Sequence, residues 1–206
     1  EKYGVEIMQT SPAFYHHEHP AEELLKDTND VVVGSNVMCF DDYIEASMWK
    51  WYMISLHFLG WLRILAFDLK KGHGITHRTF YTELFSWFMN NPRTLLFKEY
   101  HVTMRLLKKV FERKIPWGRK VTGVSDIYWE YEEATSIHIA KNKYRFYDEI
   151  GDFLDYQYDI DRKILNKQYN KMKDPYKVYH GDLEKWAREC IWWGRRAERF
   201  FVGESA

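Results

Sequence analysis

Asp41-Asp42-Tyr43-Ile44-Glu45-Ala46-Ser47-Met48-Trp49-Lys50-Trp51-Tyr52-Met53-Ile54-Ser55-Leu56-His57-Phe58-Leu59-Gly60-Trp61-Leu62-Arg63-Ile64-Leu65-Ala66-Phe67-Asp68-Leu69 decides the fold class. Two acids open it where an N-cap and a first-turn carboxylate belong. The stretch then reads helical to about Leu69 and stops at Lys70-Lys71-Gly72, with cations at the end and glycine beyond. Its most apolar part, Trp51 to Leu62, is too short to span a bilayer and is interrupted by Ser55, His57 and Gly60.

Working outward, Thr76 is placed to cap a second helix over Phe80, Leu84, Phe85 and Phe88. Asn90-Asn91-Pro92 breaks that helix, and Pro92 starts a third. The third carries Val102, Leu106 and Val110 on one side with Leu107 and Phe111 beside them, and it closes on Lys108, Lys109, Arg113 and Lys114. Ile115-Pro116-Trp117-Gly118 opens a loop to about Asp126. A long helix is expected from about Glu130 to Ile160. Ile137, Ala140, Tyr144, Tyr147, Gly151, Leu154 and Tyr158 recur there at alternating spacings of three and four, a seam for a partner helix. After a polar connection around Asp174-Pro175, Gly181-Asp182 caps a last helix with Leu183, Trp186, Ala187, Cys190, Ile191, Gly194 and Ala197 inside. Before Asp41 the elements are short: a strand over Gly4 to Met8, a helical turn after Pro20, and the β-branched run Val31-Val32-Val33 ended by Gly34. The fold class is therefore mainly α, about five packed helices with a short irregular N-terminal segment carrying one or two short strands. Residues 1–35 read as a connecting segment or the tail of an upstream barrel, and 36–206 as the helical domain.

The chain has 206 residues, with 30 Lys+Arg against 30 Asp+Glu. Zero net charge argues against nucleic-acid binding by bulk charge, and 46 % hydrophobic residues exclude a disordered chain. Aromatic residues reach 18 %, with 9 Trp, 15 Tyr and 13 Phe, so large rings with polar handles must be buried and satisfied. Cys39 and Cys190 form neither a disulfide framework nor a zinc spacing, which fits a reducing, cytoplasmic setting. The chain opens at Glu1 rather than Met, and the expectation is a piece of a longer protein.

No nucleophile elbow, phosphate loop, dinucleotide fingerprint or HExxH is present. His16-His17-Glu18-His19 is the densest set of metal-capable groups, and His16, His17 and His19 could converge on one ion. It lacks a second matching pair and a helical i, i+4 frame, so an exposed or cleft-edge loop is the stronger reading. His73 and His77 are separated by a glycine turn and read as loop histidines. His57, within the apolar helix, is either a core imidazole held by one hydrogen bond or a cleft-facing group. Trp129-Glu130-Tyr131-Glu132-Glu133 complements a helix dipole, and a pair of acids there could also serve acid–base work. The tryptophans read as core before they read as a ligand box.

The order of motifs resembles a known family. Val31-Val32-Val33-Gly34-Ser35-Asn36-Val37-Met38-Cys39-Phe40-Asp41-Asp42-Tyr43 resembles the point where cobalamin-binding-domain-containing radical SAM proteins enter their C-terminal region. Ser55-Leu56-His57-Phe58-Leu59-Gly60-Trp61-Leu62-Arg63 resembles that family's aromatic helix with a His and a nearby Gly. Ile127-Tyr128-Trp129-Glu130-Tyr131-Glu132-Glu133-Ala134 is similar to its Trp and Glu-Glu-Ala helix start. Phe146 to Gln157 and Trp192-Trp193-Gly194-Arg195-Arg196 are similar to its later segments. The likeness runs from about Glu6 to Arg196.

The resemblance implies an accessory helical domain that follows a radical SAM barrel and a cobalamin-binding domain in the same chain. Its expected part is packing or a wall of the substrate cleft. The whole enzyme would use S-adenosylmethionine, a four-iron four-sulfur cluster and cobalamin for radical chemistry, often methyl transfer or carbon-skeleton modification. The Cx3Cx2C cluster motif and the Asp-x-His-x-x-Gly cobalamin motif are absent here. The expected contribution of this chain is therefore non-catalytic, with no cofactor of its own. His16, His17, His57, Trp129 and Glu132 are the cleft-facing candidates. The competing expectations are an independent helical module enclosing a flat or apolar ligand, and a peripheral membrane protein with Trp and Lys/Arg on one helix face, which zero net charge disfavours.

Overall fold

The computed structural model describes residues 4–13, 15, 16, 28–113 and 115–166. The fold is mostly α, with short antiparallel strand pairs. Strands β1 (Glu6–Thr10) and β2 (Asn29–Gly34) form one hairpin sheet, with Ile7 opposite Val32 and Met8 opposite Val31. Helix α1 (Phe40–Met53) runs into a π-helical turn (Ile54–Phe58). Helices α2 (Arg63–His73), α3 (His77–Met89) and α4 (Leu95–Phe111) follow. A second strand pair, β3 (Arg119–Val121) and β4 (Ser125–Trp129), precedes α5 (Tyr131–Lys141) and α6 (Lys143–Tyr158). The last helix read from the sequence, after Gly181, and the turn after Pro20 lie outside the described residues.

Caps set these boundaries. Asp42 accepts from the Cys39 backbone N–H at 2.9 Å, which makes Cys39 the N-cap of α1 and Asp42 its third residue. Thr76 Oγ1 accepts from Thr79 N as anticipated. The third helix begins later than Pro92 indicates, because Thr94 caps it by accepting from Phe97 N.

Three expected elements differ. The helix from Asp41 to Leu69 is broken: the π-turn ends at Leu59, Gly60 takes φ +92°, and α2 leaves at 80° to the first part. A positive φ is open to glycine at little cost, so Gly60 is where the turn is made. The helix from Glu130 to Ile160 is two helices parted at Asn142, whose φ of −118° is not helical. Asn142 Nδ2 donates back to His138 O at 2.9 Å and competes with the helical ladder. The expected seam fails at the same point, since Tyr144 is 72 % exposed. Finally, the loop after Ile115 contains the β3–β4 pair.

The main core joins Val33 of β2 to Trp51, Tyr52 and Leu56 of the first helix, Leu65 and Leu69 of α2, Phe80, Leu84 and Phe88 of α3, and Phe146, Phe153 and Leu154 of α6. Tyr52 is fully buried and donates to Tyr81 O at 3.0 Å; its ring meets Tyr81, Phe85 and Phe88 edge-on or tilted. Such pairs add roughly 0.5–1.5 kcal/mol each beyond area burial. Val121, Ile127, Trp129, Ala134 and Ile137 form a smaller cluster under the β3–β4 pair. Helix α5 runs between both and buries six of its eleven residues, Glu132 and Thr135 among them.

Candidate functional site

Polar side chains buried in an apolar interior need partners, and those of α5, the Tyr131 hydroxyl apart, find them in three groups along its length. At its N-terminal end, Glu133 Oε2 accepts from the Glu130 backbone N–H at 3.2 Å, which caps the helix. The same oxygen lies 2.9 Å from His16 Nε2. The His16 ring stands edge-on to Trp129, with centroids 5.7 Å apart. His16 holds a left-handed backbone, φ 65°, and its N–H donates to Tyr128 O at 2.7 Å. Close packing keeps it there: a Cβ on Gly118 would stand 2.7 Å from Trp129 O and 3.2 Å from the Tyr15 ring.

The hydrogen bond to Glu133 raises the His16 imidazole above its ordinary pKa, against an opposing effect of burial. Burial raises the Glu130 carboxyl, and the neighbouring Glu133 and Glu132 add to the effect. Glu132 itself turns inward, is 7 % exposed, and has Lys50 Nζ 3.7 Å from its Oε1.

Midway along α5, Trp51 Nε1 donates to Thr135 Oγ1 at 3.0 Å and Trp61 Nε1 donates to Ser136 Oγ at 2.7 Å. These bonds satisfy two of the indole handles that the aromatic composition left to be paired.

Further along stands Glu99 of α4, 4 % exposed. Its Oε2 accepts from Arg119 Nη2 at 2.8 Å and from Thr135 Oγ1 at 3.1 Å, and its Oε1 lies 2.7 Å from His138 Nδ1. Burial pushes the Glu99 carboxyl up, but the His138 hydrogen bond, the Arg119 charge and the Thr135 hydroxyl outweigh it and hold the group below its ordinary value. Arg119 Nη1 and Thr103 Oγ1 are buried in the same region with no protein partner. His138 is one-third exposed. These bonds tie α4, β3 and α5 together.

Of the five expected cleft-facing residues, His16 and Trp129 meet beside the first turn of α5, and Glu132 lies on that turn but points elsewhere. The carboxylate that meets His16 is Glu133, because Glu132 faces α1 instead. His17 and His19 lie outside the described residues, so the proposed histidine convergence is represented by His16 alone. Among the described residues, no group of three or more His, Cys, Asp or Glu is arranged to hold a metal ion. His57 stands apart, on the π-turn, with Nδ1 3.0 Å from the Tyr81 hydroxyl. Its ring meets exposed Phe58 and Phe67, so it lies at an aromatic surface rather than in a closed box.

The Glu99 group lies off the stripe that the sequence suggests for α4, Val102, Leu106 and Val110 with Leu107 and Phe111 beside them; of these, Leu107, Val110 and Phe111 are buried. The buried stripe is Leu96, Glu99, Thr103, Leu107 and Val110. Two polar residues falling in register between leucines was the available signal. A scan against protein-family models gives no match for this chain, and a search of curated proteins gives none either.

Proposed function

We propose that this chain is a C-terminal accessory helical domain of a cobalamin-dependent radical SAM enzyme. In this reading it docks on the upstream barrel and forms one wall of the substrate cleft, with His16, Trp129 and Glu133 at the cleft edge. It carries no complete catalytic site, and the whole enzyme works in the cytoplasm. The motif resemblance supplies the family.

The observation that carries the accessory role is the outer face of the β1–β2 hairpin. Val5, Ile7 and Val32 are 48 %, 57 % and 52 % exposed there, and Ile7 lies directly opposite Val32. A two-stranded sheet with apolar residues on its open side has the character of a face covered by another body. The upstream barrel is the occupant proposed for it.

The cofactors belong to the upstream domains in this proposal. A four-iron cluster of this family takes three cysteines, and the chain has two cysteines in all. Among the described residues, only Cys39 is present as a free thiol, and it is exposed. The chain's residues do not fit the cluster. What the described residues offer a substrate is placement: an imidazole fixed by Glu133 beside an indole edge, at the end of a helix braced by buried pairs.

The test is the coding sequence upstream of Glu1. The proposal expects a Cx3Cx2C segment and an Asp-x-His-x-x-Gly segment there, in that protein's own barrel and cobalamin domain. An unrelated upstream domain overturns it.

A further inference from the structure

We propose that the elbow between α1 and α2 is a docking surface for an anionic lipid membrane. The bend turns the chain by 80°. At its apex stand Phe58 and Leu59, 66 % and 38 % exposed, and Phe67 of α2 is 53 % exposed beside them. The patch is continuous. The His57 ring lies 5.4 Å from Phe58 and 6.2 Å from Phe67, and the His77 ring lies 4.9 Å from Phe67.

The exposed charges around these rings are of one sign. Arg63, Phe67, Lys70 and Lys71 share the solvent face of α2, at steps of four, three and one, and all four are exposed. Arg78 and His73 are exposed at the adjoining ends of α3 and α2. The α2 carboxylate, Asp68, is a further ~100° round the helix from Phe67 and half-buried. An apolar apex ringed by cations complements an anionic headgroup layer over acyl chains: the rings enter the boundary while Arg63, Lys70 and Lys71 stay among the headgroups. Each such cation contributes about fivefold in affinity for an acidic surface.

The same features fit a nucleic acid less well. A single strand needs open ring faces for stacking, whereas His57 meets Phe58 edge-on and His77 meets Phe67 edge-on, and the aliphatic Leu59 at the apex offers no stacking face. No helix among the described residues is long and apolar enough to cross a bilayer by itself. The two arms of the elbow reach that length and apolarity only together, and their Trp51, Tyr52, Leu65 and Leu69 are buried in the protein core, so what the elbow offers a bilayer is its apex. This surface is separate from the β1–β2 face, and its occupant is independent of the family proposed above.

The experiment is co-sedimentation of the full chain with vesicles of phosphatidylcholine alone and of phosphatidylcholine mixed with phosphatidylserine. Retention by the anionic vesicles is expected, with release as salt rises. F58S/F67S and K70E/K71E are each expected to weaken it at least tenfold, with folding checked by circular dichroism. These side chains are exposed, so the fold stands without them. I7S/V32S is expected to leave vesicle binding in place. No retention, equal retention by neutral vesicles, or retention that survives both elbow variants overturns the proposal. Displacement from the vesicles by a short oligonucleotide overturns it in favour of a nucleic acid. A missing Cx3Cx2C segment upstream removes the family reading and leaves the vesicle result unchanged, so the two failures are distinct.

Discussion

Glu99 shows at the residue scale what a buried charge demands. Its carboxylate is ionised inside the protein because Arg119, His138 and Thr135 all address it. Glu99→Ala leaves the Arg119 guanidinium buried without its counter-charge, and the expected loss is about 3–5 kcal/mol, read from urea unfolding. The sign with pH follows from the lowered carboxyl. Its contribution is fully present above the ordinary carboxylate range and is lost as pH falls through the folded value. Glu99→Gln should flatten that acid limb of the stability curve; an unchanged limb would show that other carboxylates set it. His16 has the opposite sign. Its imidazole is raised by Glu133, so its contribution is present below about pH 6.5 and is lost as pH rises through the folded value. His16→Asn tolerates the left-handed backbone and removes the titration. A loss of about 1 kcal/mol or less is expected on the acid side of the imidazole range, shrinking toward alkaline pH.

At the scale of elements, boundaries are set by single residues that act against the periodic pattern. Helix existence was legible: the Thr76 cap, the apolar run after Asp41 and the α6 stripe all form helices. Helix length was not, because Gly60 and Asn142 override long apolar repeats through backbone conformation and a side-chain hydrogen bond. The α5 stripe was hard to read for a related reason. A helix buried on several sides has no single apolar face, and its polar residues are paired by partners far away in sequence, such as Trp51 and Glu99. The β3–β4 pair carries its own test. Gly118 has φ +95° and sits against Trp129 O and Tyr15. Gly118→Ala is expected to cost at least ~1–2 kcal/mol from backbone strain alone. It should also displace the Tyr15–His16 segment, which a loss of the alkaline-sensitive stability term of His16 would report. If that term survives Gly118→Ala, the close packing at Gly118 is not what holds His16.

Over the whole molecule, neighbouring residues of one strand face opposite ways. Val33 is fully buried in the helical core, while Val32 beside it is half-exposed on the outer face opposite Ile7. Alternation along a strand puts the two side chains on opposite sides of the sheet. A change at Val33 therefore acts on the fold, and a change at Val32 acts on the outer face, where the proposed barrel would dock. Val33→Ser removes buried apolar atoms and inserts a hydroxyl, and the expected loss is about 2 kcal/mol or more in the isolated chain. I7S/V32S should stay within about 0.5 kcal/mol of the parent there, because both positions are already hydrated. In the intact protein the order is expected to reverse for docking. I7S/V32S should open the junction ahead of β1 to limited proteolysis while the melting curve of the helical domain stays in place. Equal cleavage of parent and variant would show that the face is not covered by the upstream domain, and a lowered melting curve in the isolated chain would show that Ile7 and Val32 belong to its own core.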